Sequence, residues 1–373
     1  MISIIIPTQN RCFLLEITLN SLIKLIHDFN NIEILIIDNA STDHTKIITE
    51  RIINQNKDKK IYYIYEPIAG LQSGRQKGAS IAKGDILVFI DDDIVADTNW
   101  INAIDESFKE ETVQLVGGRC LPNYEIEPPY WTDYLWTKTT DYKMCGYYSL
   151  IDQGDVIKET DPNLVFGLNF AIRKLTLFDL GGFNPDCIPK NLQRFQGDGE
   201  SGLTRKLKLK KYKAIYNPKA LVYHAVPKER MTIEYIEKRM YYQGVCDSYS
   251  KIRSEYIGNG FSSGGIFTEQ NNMMIKDSRR LNFLERVKNR LLARDIKSEI
   301  YKLTHELNKI RIEIENLRSL IAKPNTQREI EARMKIAYQR GFEFHQKEVN
   351  KDPKLLEWVI KENYFDYDYT KYE

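Results

Sequence analysis

Along the first hundred residues, short, mainly apolar runs alternate with longer stretches in which apolar positions return every three or four residues. Ile2–Ile6, Ile32–Ile37, Ile61–Tyr65 and Ile86–Ile90 read as strands, Ile2–Ile6 as a buried one and Ile86–Ile90, with its β-branched and aromatic members, as one buried on both faces. Helical periodicity fills the intervals, from about Cys12 to His27, up to about Ile53, and after Gly70, where Gly74 and Gly78 would let a helix lie close against a sheet. Such alternation predicts a parallel sheet with crossover helices. Pro7 is expected to stop the first ladder. A helix near Trp100–Lys109 and a strand near Val113–Val116 follow, then an irregular aromatic-rich region, Arg119–Leu164. Strands resume at Leu164–Arg173, Ala214–Tyr216 and Ala220–Tyr223, with a helix from Lys174 to about Leu180.

Beyond Arg253 the pattern changes. A glycine- and serine-rich stretch, Gly258–Gly265, predicts a connecting segment, and Ile296, Ile300, Leu303, Leu307, Ile310, Ile314, Leu317 and Ile321 recur at alternating steps of four and three, a heptad seam. We therefore expect a body at 1–253, a connector at 254–280 and a helical region at 281–373. The seam at 296–321 would form a homodimeric coiled coil or fold back on its own chain. Helices are expected from about Gln327 to Val349 and after Asp352-Pro353.

The 373-residue chain is 42% apolar with a formal net charge of +2, which leaves no global field to recruit nucleic acid. Five scattered cysteines without a CxxC pair point to reduced thiols in a cytoplasm. The sequence opens on a strand without a basic leader, and no apolar run reaches bilayer-spanning length, so a cytoplasmic protein is expected. The run Lys206–Lys213 is either a solvated face or a peripheral contact with an anionic membrane surface.

The chemistry collects at strand ends. Asp91, Asp92 and Asp93 follow Ile90 directly, and hard oxygen ligands clustered where an open α/β sheet binds ligands suit a divalent cation, Mn2+ or Mg2+. Asp38 closes the second strand, and Arg75 lies in a glycine-spaced segment that could face a phosphate. Asp198 and Glu200, separated by Gly199, open a helix and offer a base or merely complement its dipole. Trp131 and Trp136 would stack on a sugar ring or pack in the core.

Taken together, residues 1 to about 245 resemble the family 2 glycosyltransferases with the GT-A fold, a Rossmann-like, mostly parallel sheet flanked by helices; the C-terminal helical and coiled-coil region is an appendage. The resemblance rests on Pro7-Thr8, Asp38, Gly70 through Arg75 and Gly78, Asp91-Asp92-Asp93, Gly167, Asn169 and Arg173, and His224. It implies donor contacts from Pro7, Thr8, Asp38, Gly70, Arg75, Asp91 and Asp92, and a metal on Asp93 with His224. It also implies an acceptor side at Gly167 and Asn169, to which the aromatic Trp131 is added. Many relatives carry Glu-Asp ahead of an acidic residue and Leu, where this chain reads Asp198-Gly199-Glu200-Ser201-Gly202-Leu203. Anchoring on Leu203 makes Glu200 the base, and anchoring on the preceding glycine favours Asp198. The implied activity is inverting transfer from a nucleotide sugar to a saccharide, lipid-linked or protein acceptor. Two rivals are a phosphatase of the haloacid dehalogenase type, through Asp91-x-Asp93-x-Val95, and a scaffold that keeps the fold without the chemistry.

Overall fold

The computed structural model describes residues 1–26, 30–257, 306 and 325–372. The heptad seam and most of the connector lie outside the described residues. The first half builds β1 (Ile2–Thr8), α1 (Cys12–Leu25), β2 (Ile32–Asp38), α2 (Thr45–Gln55), β3 (Ile61–Tyr65), α3 (Leu71–Ile81) and β4 (Ile86–Ile90). Their strands lie in the parallel order β3-β2-β1-β4. The chain runs outward from β1 through β3 and then returns to place β4 on the other side of β1. That reversal opens a crevice at the carboxyl ends of β1 and β4.

The apolar runs of β1, β2 and β4 are nearly continuous because these strands are covered on both faces, whereas the edge strand β3 leaves Tyr62 and Tyr65 exposed. Ile4, Ile6, Ile34, Ile36, Val88 and Ile90 face a core shared with Leu15, Leu19 and Leu22 of α1 and Ile48 and Ile52 of α2. Ile5, Leu35, Ile37, Leu87 and Phe89 face the opposite core with Ala79 of α3. A period-two pattern with both phases apolar has this consequence. Pro7 does not end the ladder: it pairs with Ile37, and Thr8 with Asp38, since proline costs only one of the bonds that a parallel strand needs.

β5 (Ile94–Ala96), α4 (Trp100–Ser107) and β6 (Val113–Tyr124) follow, β6 far longer than expected. The segment read as irregular holds short strands, β7 (Thr137–Lys138), β8 (Lys143–Cys145), β9 (Leu150–Asp152) and β10 (Lys158–Glu159), with β7, β8 and β9 in an antiparallel run. β11 (Asn169–Arg173) inserts antiparallel between β4 and β6, then α5 (Lys174–Asp179) and α6 (Glu200–Leu209) cover the second core. The two strands expected after α6 are one, β12 (Lys213–Val226), parallel to β6 with a register shift between Asn217 and Val222.

α7 (Ile233–Ile257), α8 (Asn325–Lys351) and α9 (Pro353–Ile360) complete the molecule. α9 starts where Asp352 accepts from the Lys354 N–H at 3.0 Å and Pro353 takes the first helical position. α7 and α8 touch backbone to backbone at glycines: a Cβ on Gly244 would sit 2.0 Å from the Tyr338 carbonyl oxygen, and one on Gly341 1.9 Å from that of Tyr241. Trp358 of α9 is fully buried, its indole donating to the Phe195 carbonyl at 2.9 Å. Tyr364 and Tyr369 join the same cluster as Ile188, Tyr249 and Ile252. The described C-terminal residues thus pack on the body. No helix among the described residues is long and apolar enough to cross a membrane.

Candidate active site

The crevice is charged because β4 ends in carboxylates that cannot stay in the core. Asp92 and Asp93 are nonetheless buried, at 3% and 4% exposure, and are answered from three other elements. Thr8, ending β1, donates to Asp92 Oδ2 at 2.6 Å. Arg11 Nη1 bridges Asp92 Oδ1 at 2.7 Å and Asp93 Oδ2 at 3.0 Å. From the turn after β12, Arg230 Nη2 reaches Asp93 Oδ2 at 2.8 Å. Burial pushes the Asp92 carboxyl up to about 6, with the charge of Asp93 adding to the rise and Arg11 opposing it. For Asp93 burial also raises the pKa, but the adjacent His224, Arg11 and Arg230 together hold it well below the usual carboxylate range. Burial raises the Asp91 pKa against the pull of Arg75.

His224 shows what this mouth is fitted to hold. Its Nδ1 lies 2.7 Å from the Tyr148 carbonyl, which can only accept, so that nitrogen carries the proton. Its Nε2 faces Arg230 Nη1 at 3.0 Å, a group that can only donate, so that nitrogen presents a lone pair. Asp93 Oδ1 lies 3.2 Å from the same Nε2 and is a buried atom without a hydrogen-bond partner. With a proton on Nε2 the imidazolium pairs with Asp93 and holds its pKa down; without it two acceptors face each other and a cation can take the proton's place, since ligand atoms of Asp91, Asp93 and His224 lie within 4.8 Å of one another. The carboxylates suit Mn2+ or Mg2+, and the imidazole is the softer donor of the set.

Asp198 and Glu200 part company at Gly199, whose φ of +55° and ψ of −130° suit glycine, and where a Cβ would lie 2.6 Å from Asp186 Oδ2. Glu200 turns toward the crevice: its Oε2 meets Arg75 Nη1 at 3.1 Å, and its Oε1 accepts from the Gly167 N–H at 3.3 Å. Arg75 also lies 3.7 Å from Asp91 Oδ1, so one guanidinium links the base candidate to the strand mouth. Burial raises the Glu200 pKa, yet Arg75 and the backbone donors outweigh it and leave the pKa lowered. Asp198 turns inward, where it pairs with Arg205 and accepts from Ser250 Oγ at 2.6 Å and Asn184 Nδ2 at 2.7 Å.

Other expected site residues divide in the same way. Asp38 is held by the Ser41 N–H at 2.9 Å and the Tyr63 hydroxyl at 2.6 Å at the end of β2. Gly70 has φ +133° and donates to Asn39 Oδ1 at 2.8 Å, and Gly74 packs on Pro7. Two residues expected on the acceptor side are engaged within the protein. Asn169 is buried and fully engaged, accepting from the Trp100 indole at 3.0 Å and donating to the Ala220 carbonyl at 2.8 Å. Trp131 packs in an apolar cluster with Met240 and Ile330 and does not line the cavity. That cavity, about 520 Å³, has Glu200, Arg11 and Arg230 in its wall, together with Tyr235, Lys238, Arg239, Tyr242 and Cys246 from α7. Sequence reasoning passed over Arg11 and the α7 residues; the spacing 235, 239, 242, 246, one helical face, was the available signal.

A mostly parallel sheet flanked by helices, with acidic residues at the switch-point crevice, defines the GT-A class of fold. The structure aligns over 92% of this chain with a mannosyltransferase from Pyrobaculum calidifontis solved with GDP-Man and Mn2+, at a TM-score of 0.54 and 18% identity, covering 87% of that chain. Residues 3–166 match the family model described as Glycosyl transferase family 2, and this matched segment carries the strand-mouth carboxylates. A glucosyl-dolichyl phosphate glucuronosyltransferase of Haloferax volcanii is 22% identical over 235 residues, 62% of this chain and 69% of that protein. A GalNAc(5)-diNAcBac-PP-undecaprenol beta-1,3-glucosyltransferase of Campylobacter jejuni is 33% identical over 94 residues, 25% of this chain and 29% of that protein.

Proposed function

We propose that the protein is a metal-dependent inverting glycosyltransferase that moves a sugar from a nucleoside diphosphate donor to an acceptor hydroxyl in surface polysaccharide or glycoconjugate synthesis. The observation that carries this reading is the facing pair of acceptors, Asp93 Oδ1 and His224 Nε2, joined through Asp91 and Arg75 to Glu200 in the cavity wall. Asp91, Asp93 and His224 would hold Mn2+ or Mg2+, which when bound supplies charge against a departing diphosphate. Thr8 and Arg11 fix the Asp92 carboxylate, and Asp38 and the Gly70 turn shape the side where a nucleoside would lie. Glu200, kept anionic by Arg75, takes the proton of the acceptor hydroxyl. The acceptor oxygen forms its bond to the anomeric carbon as the bond to the diphosphate oxygen breaks, and the electron pair leaves with the nucleoside diphosphate. Arg11 and Arg230 line the cavity and add positive charge beside that leaving group. Asp198, already paired inside the body, is not the base in this reading.

The protein would work in the cytoplasm or at the inner face of a membrane, as a dimer through 296–321 if the seam pairs between chains. Melting temperatures measured with a panel of nucleotide sugars, with and without Mn2+, test the reading: one donor should raise the midpoint in a metal-dependent way. No shift with any donor under either condition overturns it.

A further inference from the structure

The face of α7 that borders the cavity carries positive charge that no carboxylate contacts directly, although the charge of Asp186 acts on Arg239 from across the wall. Among the described residues, the Arg239 guanidinium lines the cavity and makes no hydrogen bond or ion pair. Lys238 beside it is exposed, its ammonium resting 5.9 Å over the Tyr242 ring. The carboxylates in the same wall are engaged elsewhere. Asp198 pairs with Arg205, Glu200 with Arg75, and Asp186 accepts from the Cys187 N–H at 2.8 Å and the Gln196 amide at 3.0 Å. The other cavity cations, Arg11 and Arg230, are committed to Asp92 and Asp93. Tyr235, one turn before Arg239, is stacked near Tyr148 and places an aromatic surface in the same wall.

We infer that this wall is an anion subsite for the acceptor: the chain transfers onto an acceptor that carries a phosphate close to the hydroxyl that reacts. The inference rests on the transferase reading and deepens it. A guanidinium fork binds a phosphate through two parallel hydrogen bonds, and Lys238 adds a point charge from the adjoining position. The tyrosines offer flat surfaces to the attached sugar. A neutral acceptor filling the cavity would strip water from Arg239 and return nothing to it, so the site discriminates against uncharged saccharides. The phosphate can belong to a lipid carrier or to a soluble sugar phosphate.

Calorimetric titration separates these ideas. UDP, GDP and dTDP are titrated first, each with Mn2+, into the full-length protein, to find a nucleotide that fills the donor side. With that nucleotide saturating, and again without it, three probes follow: octyl glucosyl phosphate, octyl glucoside and glucose 1-phosphate. The expected result is binding of the octyl phosphodiester at least tenfold tighter than octyl glucoside. Arg239→Gln should erase that preference with nucleotide affinity unchanged, Arg239→Lys should restore part of it, and the surface change Lys238→Gln should weaken it. Equal affinity for diester and neutral glycoside, or a preference that survives Arg239→Gln, overturns the subsite. Glucose 1-phosphate binding as tightly as the octyl diester marks a soluble acceptor; weaker binding marks a lipid-linked one, and either supports the subsite. If no nucleotide binds with Mn2+ the transferase reading fails, and the probe titrations still decide the anion subsite.

Discussion

Two clusters of buried charge meet at the first turn of α6, and they are built on opposite plans. Behind the helix, Arg205, Ser250 and Asn184 hold both oxygens of Asp198, with Asp198 and Arg205 side chains only 4% and 10% exposed, although Arg205 Nε and Asn184 Oδ1 keep no partner. In front of it, Glu200, Arg75, Asp91, Asp93 and His224 form a chain that ends in an unanswered oxygen and an open cavity. Both clusters contain a carboxylate held by an arginine. Neither burial nor a lone unpartnered atom therefore marks a site; what separates the two is that the front cluster brings ligand atoms of Asp91, Asp93 and His224 within 4.8 Å of one another, whereas the carboxylate of the rear one is paired with a cation and two further donors.

Substitutions should break the front cluster through activity and the rear one through stability. Asp93→Ala should give the largest effect, a fall in transfer of about 10³-fold or more with loss of the Mn2+ dependence of donor binding, followed by steady-state rates and metal titration. Glu200→Gln should lower turnover by about 10²- to 10⁴-fold while the dissociation constant for a nucleoside diphosphate stays unchanged. A Glu200→Gln enzyme with wild-type turnover would place the base elsewhere. Asp198→Ala should strand Arg205 and cost about 3 kcal/mol of stability in denaturant titration. Protein that remains folded should keep its turnover, and a loss of turnover as large as that of Glu200→Gln would dissolve the contrast.

A smaller effect reports on the α7–α8 contact alone. His345 is buried, with Nδ1 2.8 Å from Ser248 Oγ and Nε2 unpartnered, and burial lowers its pKa to about 4. A depressed histidine pKa means that the unfolded chain takes up the proton first. The stability contribution is full above the unfolded pKa of 6.5 and is lost as pH falls toward 4. Between pH 7 and pH 5 the loss should be about 2 kcal/mol. His345→Gln should flatten that part of the pH–stability curve, and an unchanged slope would remove His345 as its source.

Much of the front cluster was legible in order along the chain. Doubly covered strands have no polar phase, so Ile2–Ile6 and Ile86–Ile90 announced themselves and the aspartates after Ile90 had to emerge at a sheet end. What stayed hidden depends on direction. Asp198 and Glu200 were open alternatives because a spacing of two says nothing about the turn at Gly199 that points them apart. Asn169 and Trp131 carry groups suited to a sugar, and pattern alone does not reveal that Trp100, Ala220 and an apolar cluster already occupy them. Arg239 was invisible because a single cation on a helix carries information only once its neighbours are known to leave it unpaired.

α7 presents Tyr235 and Arg239 to the cavity and, a few residues on, lays Gly244 against Tyr338 and Ser248 against His345. Anyone exchanging acceptor preference between related chains by cutting and splicing should therefore transplant α7, α8 and α9 as one block. A splice at residue 253 would leave Tyr249 and Ile252 facing a foreign helix, and the hybrid would fail for reasons unrelated to sugar recognition.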